Sequence, residues 1–105
     1  MEKAGISKSY MAFNQEAPDH ARAWSEMIQK LSKANALDPK TSSLVYLGIL
    51  AVAGLESGVP FHVRIAKENG ASREEIISAI LTGLPAAGNQ VIKCLPVAIE
   101  TFDLL

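Results

Sequence analysis

Fifteen consecutive residues, Thr41 to Leu55, carry no charge, and this run limits what the chain can build. It falls short of the roughly 18 apolar residues that a membrane-spanning helix needs. The pattern LVYLGILAVAG lacks the strict polar and apolar alternation of a half-buried strand, so the run reads as a core helix that is apolar on nearly every side. Asp38-Pro39 marks its start: an oxygen to cap free N–H groups, then a proline where the first helical N–H has no partner anyway. The predicted helix spans Pro39 to Gly54. A helix apolar all round must be covered all round. A 105-residue domain buries only about 60–70% of the surface its unfolded chain exposes. Neighbouring subunits are therefore expected to complete the coverage, most simply in a symmetric homo-oligomer. The competing reading is that the long helices of one chain suffice.

The rest of the chain is also helical in period, and the fold class read from it is all-α, a compact bundle of about five to six helices in a single domain, residues 1–105. Residues 1–18 hold Met1, Tyr10, Met11 and Phe13 without a strong period and are read as a short helix or a packing arm. From Asp19 to about Ala34, Trp24, Met27, Ile28 and Leu31 recur at three- and four-residue steps and form one apolar stripe, expected to be the buried side of an amphipathic helix. After the turn Glu56-Ser57-Gly58 a helix is predicted from Val59 to Asn69, ending at Gly70, with Val59, His62, Ile65 and Ala66 on one stripe. Ser72-Arg73-Glu74-Glu75 has the form of a capping box that opens the next helix, whose apolar face is Ile76, Ile77, Ile80, Leu81 and Leu84. Leu84 to Gly88 should break or bend the chain. A last helix from near Gly88 then presents Val91, Ile92, Leu95, Ile99 and Phe102, kinked at Pro96.

Charge and composition exclude several functions. A net charge of −1 without a basic stripe, and 6% aromatic residues, argue against nucleic-acid binding. A single cysteine, Cys94, rules out an internal disulfide, and no leader-like segment opens the chain, so a cytoplasmic protein is expected, with no membrane partner. Cys94 itself reads as a buried, inert thiol. Two histidines, His20 and His62, have no i,i+4 partner and the carboxylates show no ligand spacing, so neither a metal nor another cofactor is expected. The glycines do not follow a strand as a nucleotide loop requires. His20 beside Asp19 reads as a helix-end surface residue.

The block His62-Val63-x-x-Ala66, the run Gly70-Ala71-Ser72-x-Glu74-Glu75-Ile76, the earlier Lys40-Thr41-x-x-Leu44 and the later Ala87-Gly88 come in an order and spacing that resembles the carboxymuconolactone decarboxylase and alkylhydroperoxidase D-like family. The resemblance covers about Lys33 to Phe102. It implies an alkylhydroperoxidase D-like helical subunit in a homo-oligomer, commonly a trimer or hexamer. In the peroxidase branch a C-x-x-C pair precedes the histidine and a glutamate lies further upstream. The matching positions here are Leu55, Gly58 and Ser43, and of the set only His62 remains. Neither Leu nor Gly can supply a thiolate nucleophile. The decarboxylase branch also lacks the cysteine pair and implies a lyase acting on a small lactone or carboxylate without metal or organic cofactor. Where that branch often has a tyrosine before the Ala-Gly pair, this chain has Ala86.

His62 is accordingly the candidate acid/base: loss of carbon dioxide leaves a carbanion or dienolate that an imidazole can protonate near neutral pH. Tyr46, Arg64 and Asn89 are the candidate substrate-binding residues. Arg64 is the basic group nearest in sequence, and Asn89 sits where a helix N-terminus would attract a carboxylate. Glu56 and Glu75 are the carboxylates that could orient the ring, Glu75 already having a place in the capping box. The same histidine could equally be a packed residue whose ring is satisfied by backbone or by a partner subunit. Three functions remain open on the sequence: a decarboxylase-type enzyme, a peroxidase-related protein disfavoured by the missing cysteines, and a non-catalytic oligomeric binding module. A pocket containing His62 and lined by Tyr46 would favour the first, and a dry, filled core around the ring the last.

Overall fold

A computed structural model describes residues 7–105 as helices joined by short turns, with no strand among the described residues. Six helices have nine or more residues: α1 (Lys8–Glu16), α2 (Pro18–Ala34), α3 (Pro39–Ala53), α4 (Val59–Glu68), α5 (Arg73–Leu81) and, after two single turns α6 (Leu84–Ala87) and α7 (Asn89–Ile92), α8 (Leu95–Leu104). The N-terminal segment is a helix from Lys8, and residues 1–6 of the predicted arm lie outside the described residues.

Local hydrogen bonds explain where the helices begin. Asp38 accepts from the Thr41 N–H at 2.8 Å and opens α3, with Pro39 in the first turn. At α5 both halves of the capping box form: Ser72 Oγ accepts from the Glu75 N–H at 3.1 Å, and Glu75 Oε1 accepts from the Ser72 N–H at 2.9 Å. Between α4 and α5 the backbone reverses at Gly70, φ 93°, a conformation that places a Cβ against the backbone and so favours glycine. Gly88, at φ 65° and ψ −141°, separates α6 from α7 for the same reason.

The expected single last helix is two. It breaks at Lys93 and Cys94, and Pro96 falls in the first turn of α8 rather than at a kink, because a proline's missing N–H is harmless there and disruptive further in.

The core lies where α3, α4, α5, α7 and α8 meet. Leu47, Val59, Val63, Ile80, Val91, Cys94 and Ala98 have no exposed surface, and Ile76 almost none. Gly48 brings α3 against α5: a Cβ there would lie 3.0 Å from the Ala79 carbonyl oxygen. The motif residues Lys40 and Glu75 pair across the starts of the same two helices at 2.9 Å, half-exposed. Lys67 Nζ donates to the Phe102 and Leu105 carbonyls and lies 4.1 Å from the Phe102 ring centroid, while Arg73 forks onto Asp103 at 2.9 and 3.2 Å. These contacts hold the C-terminal end of α8 to α4 and α5.

Two expectations about buried faces are corrected. The stripe of α4 that enters the core is Val59, Val63 and Ala66, with His62 and Ile65 half-buried at its edge. Successive helical residues are 100° apart, so two adjacent rows compete for the centre, and packing on α3 and α8 selects the row through Val63. In α2 only Ala21 is buried, and Trp24, Met27, Ile28 and Leu31 all face outwards. The helix packs on α1, where Phe13 meets Trp24 edge-on at 6.4 Å, and has no extended packing on the core.

Candidate functional site

His62 and Tyr46 come together, and they do so by stacking. Tyr46 projects from α3 and His62 from α4, their ring centroids 4.2 Å apart and their planes within 10°. Phe61 adds a second ring, edge-on to the imidazole at 5.2 Å. The α3–α4 contact produces this pairing, since the two rings are sixteen residues apart in the chain and no local rule joins them.

Burial between these rings disfavours the charged imidazolium and holds the His62 pKa below its ordinary 6.5. The ring is therefore largely neutral at pH 7. Among the described residues neither ring nitrogen has a hydrogen-bond partner, and neither is sealed from solvent. Glu75 is held by Ser72 and Lys40, which keep its carboxyl below the usual carboxylate range, so it is not free to orient the imidazole. Glu56 is exposed and lies near the Cys94 thiol, whose pKa is pushed up first by burial and then by that negative charge. Ser43, at the position matching the peroxidase glutamate, donates its hydroxyl to the Pro39 carbonyl at 2.8 Å.

Arg64 reaches the site through Phe61. Its guanidinium carbon lies 5.1 Å from the Phe61 ring centroid, so one phenyl ring contacts both the imidazole and the guanidinium. Arg64 Nε is buried and has no hydrogen-bond partner among the described residues. A buried guanidinium N–H without an acceptor costs free energy. Phe61 was missed as a site residue. The available signal was its i,i+3 spacing to Arg64 together with its position next to His62.

Asn89 stands apart from this group. It is exposed at the start of α7, which packs on α3 and α5, and the neighbouring Gln90 donates its side-chain amide to the Val52 carbonyl. A four-residue helix sums few peptide dipoles, which removes the reason to place an anion there.

One concavity of the described chain lies away from His62. It is an apolar groove of about 800 Å³ between α3 and α5, walled by Leu44, Val45, Ile49 and Val52 and floored by Gly48, Ala79 and Gly83, with Glu74 at one end. Tyr46 leaves α3 about a third of a turn away from the middle of this groove. Within one chain His62 thus lies outside this groove and outside the filled core. It is a half-buried ring at the surface, beside a half-exposed Tyr46.

Among the described residues no three His, Cys, Asp or Glu side chains converge as metal ligands would, and no helix is long and apolar enough to cross a membrane. The fold and site thus define an all-helical protein with a solvent-accessible imidazole held between aromatic rings. The family model of the carboxymuconolactone decarboxylase family matches residues 18–100, and the chain belongs to that family. No curated protein and no solved structure matches it.

Proposed function

We propose that this chain is a cofactor-independent acid/base protein of the decarboxylase type, a lyase acting on a small unsaturated carboxylate or lactone, with His62 as the proton-transferring group. The observation that carries the proposal is the state of the His62 ring: largely neutral at pH 7, reachable, and with both nitrogens free of protein partners. The neutral imidazole takes up a proton from solvent. The imidazolium so formed, in a site that disfavours charge, is a stronger acid than free imidazolium and delivers that proton to the carbanion left when the bond to carbon dioxide breaks, which restores the neutral ring. Tyr46 supplies a flat face for a conjugated substrate, and the Arg64 guanidinium, held against Phe61, supplies a positive charge for its carboxylate. Family membership supports this reading. The peroxidase reading lacks support in the chain, because Leu55 and Gly58 occupy the positions where a thiol pair would sit.

A second reading has one observation in its favour. Tyr46 lies flat on His62 and no carboxylate orients the ring, as suits a packed histidine in a non-catalytic oligomeric module. One experiment separates the two. The purified protein is titrated by ¹H–¹⁵N NMR at the His62 ring nitrogens, alone and with a panel of small unsaturated carboxylates and lactones, and turnover is followed as carbon dioxide release. The enzyme reading expects a ring that titrates below 6.5, shifts with one ligand class, and loses turnover in His62→Gln with helicity unchanged. A ring fixed in one tautomer across pH and indifferent to every ligand would reject it.

A further inference from the structure

We infer that α2 of one copy of this chain seats in the α3–α5 groove of a second copy. The two surfaces are both apolar, both uncovered, and matched in length. On α2 the stripe Trp24, Met27, Ile28, Leu31 is 44–61% exposed, and on α3 the groove wall Val45, Ile49, Val52 is 39–58% exposed. Each series runs over eight residues, seven steps, which at 1.5 Å per step is about 10 Å of helix. The stripe follows i, i+3, i+4, i+7 and the wall i, i+4, i+7, spacings that let side chains of one helix enter the gaps of another. The floor of Gly48, Ala79 and Gly83 provides the depth a Trp or Leu side chain needs.

The same copy's helix does not fill the groove. Asn35 fixes the short link to α3, donating from Nδ2 to Ser42 Oγ at 2.8 Å and accepting the Leu37 N–H at 2.9 Å, and α2 leaves the body with α1 as its one extended neighbour. A 17-residue helix with half its apolar side chains in water has little to hold it in isolation. Charge also matches. Glu74 at the groove end and Lys30 flanking the stripe have no ion-pair partner among the described residues.

The area is sufficient. The exposed parts of these seven side chains amount to roughly 600 Å² per helix-in-groove contact, and a reciprocal pair gives about 1,200 Å², the lower end of stable protein interfaces. In any closed symmetric assembly every copy gives one helix and receives one, so both surfaces are covered on every copy.

The test uses Leu31→Asp and Ile49→Asp, two substitutions at exposed positions, with sedimentation velocity and circular dichroism. Each variant alone should be monomeric at concentrations where the unaltered chain assembles, an association weakened at least tenfold. An equimolar mixture should associate more strongly than either variant alone, because the intact α2 of the Ile49→Asp chain still fits the intact groove of the Leu31→Asp chain. Assembly that survives Leu31→Asp overturns the proposal, as does a mixture of folded variants that associates no more than the separate variants.

If either variant loses helicity, Leu31→Cys and Val45→Cys provide the second arm, since Lys30 beside Glu74 brings Leu31 to the Val45 end of the groove, and the native Cys94 is fully buried. Oxidation should cross-link a mixture of the two chains and neither chain alone. A Leu31→Cys homodimer would show stripe-on-stripe packing, and a Val45→Cys homodimer groove-on-groove packing. A monomeric cross-link in the double variant would show fold-back. Each of these outcomes, or no cross-link at all, rejects the inference.

Discussion

Replacing Ile80 by alanine tests the account of the core most directly. Ile80 has no exposed surface and sits on the face of α5 that meets α3, beside Leu47, Ile76 and Val91. Truncation removes buried hydrocarbon and leaves a cavity that its neighbours, held by the close Gly48–Ala79 approach, cannot readily collapse into. Such substitutions cost about 2–5 kcal/mol. A chain of this size has roughly 5–15 kcal/mol in all, so Ile80→Ala should remove a large fraction of its stability. In a thermal scan each kcal/mol corresponds to about 4–8 °C at this size, giving a fall of at least roughly 10 °C. Ile49→Ala is the paired control. It removes the same atoms from a residue that is 58% exposed in the single chain, so in dilute monomeric protein it should change stability by less than about 0.5 kcal/mol. Urea melts at low protein concentration measure both. Equal losses at the two positions would refute the division between core and groove drawn above.

Ser72→Ala removes the hydroxyl that caps α5 and should cost about 1 kcal/mol in the same melts, with Ser72→Asp retaining most of the stability. Gly83→Ala drives a Cβ into Val52 Cγ2 and should destabilise by about 1–3 kcal/mol, with Val52→Ala restoring most of the loss in a double-mutant cycle. The buried imidazole contributes a pH dependence of known sign. Its folded pKa lies below 6.5, so between that pKa and 6.5 the unfolded chain binds more protons, and stability falls as pH is lowered through this window and is flat above it. Comparing urea midpoints of the unaltered protein and His62→Gln across pH 5 to 7.5 isolates that slope, and an identical slope in both would refute it.

Helix starts and chain reversals were legible because the contacts that specify them are local. Asp38 reaches Thr41, Ser72 and Glu75 reach one another, and Gly70 supplies a backbone angle, all within three residues or fewer. The break before α8 was harder to read, since Pro96 is compatible both with a kink and with a first turn, and only the packing of Cys94 and Ala98 into the core distinguishes them. Of the site, His62 and Tyr46 were legible as candidate residues, whereas the stacking of their rings was not. Phe61 went unnoticed because an aromatic residue next to a histidine on a helix points to a different face unless a neighbouring helix turns both to one side.

The sequence by itself determined an all-helical chain, the ends of most of its main helices, the absence of a thiol pair at Leu55 and Gly58, and one histidine as a candidate for chemistry. It could do so because capping, periodicity and residue identity are properties of short windows. Only the tertiary structure decided that Val63 rather than His62 enters the core, that Tyr46 stacks on the imidazole, that Lys40 pairs with Glu75, and that the stripe of α2 is left uncovered. Each of these depends on which face of one helix meets which face of another, and a 100° step between neighbouring residues allows several nearly equivalent answers until the packing of the whole chain selects one.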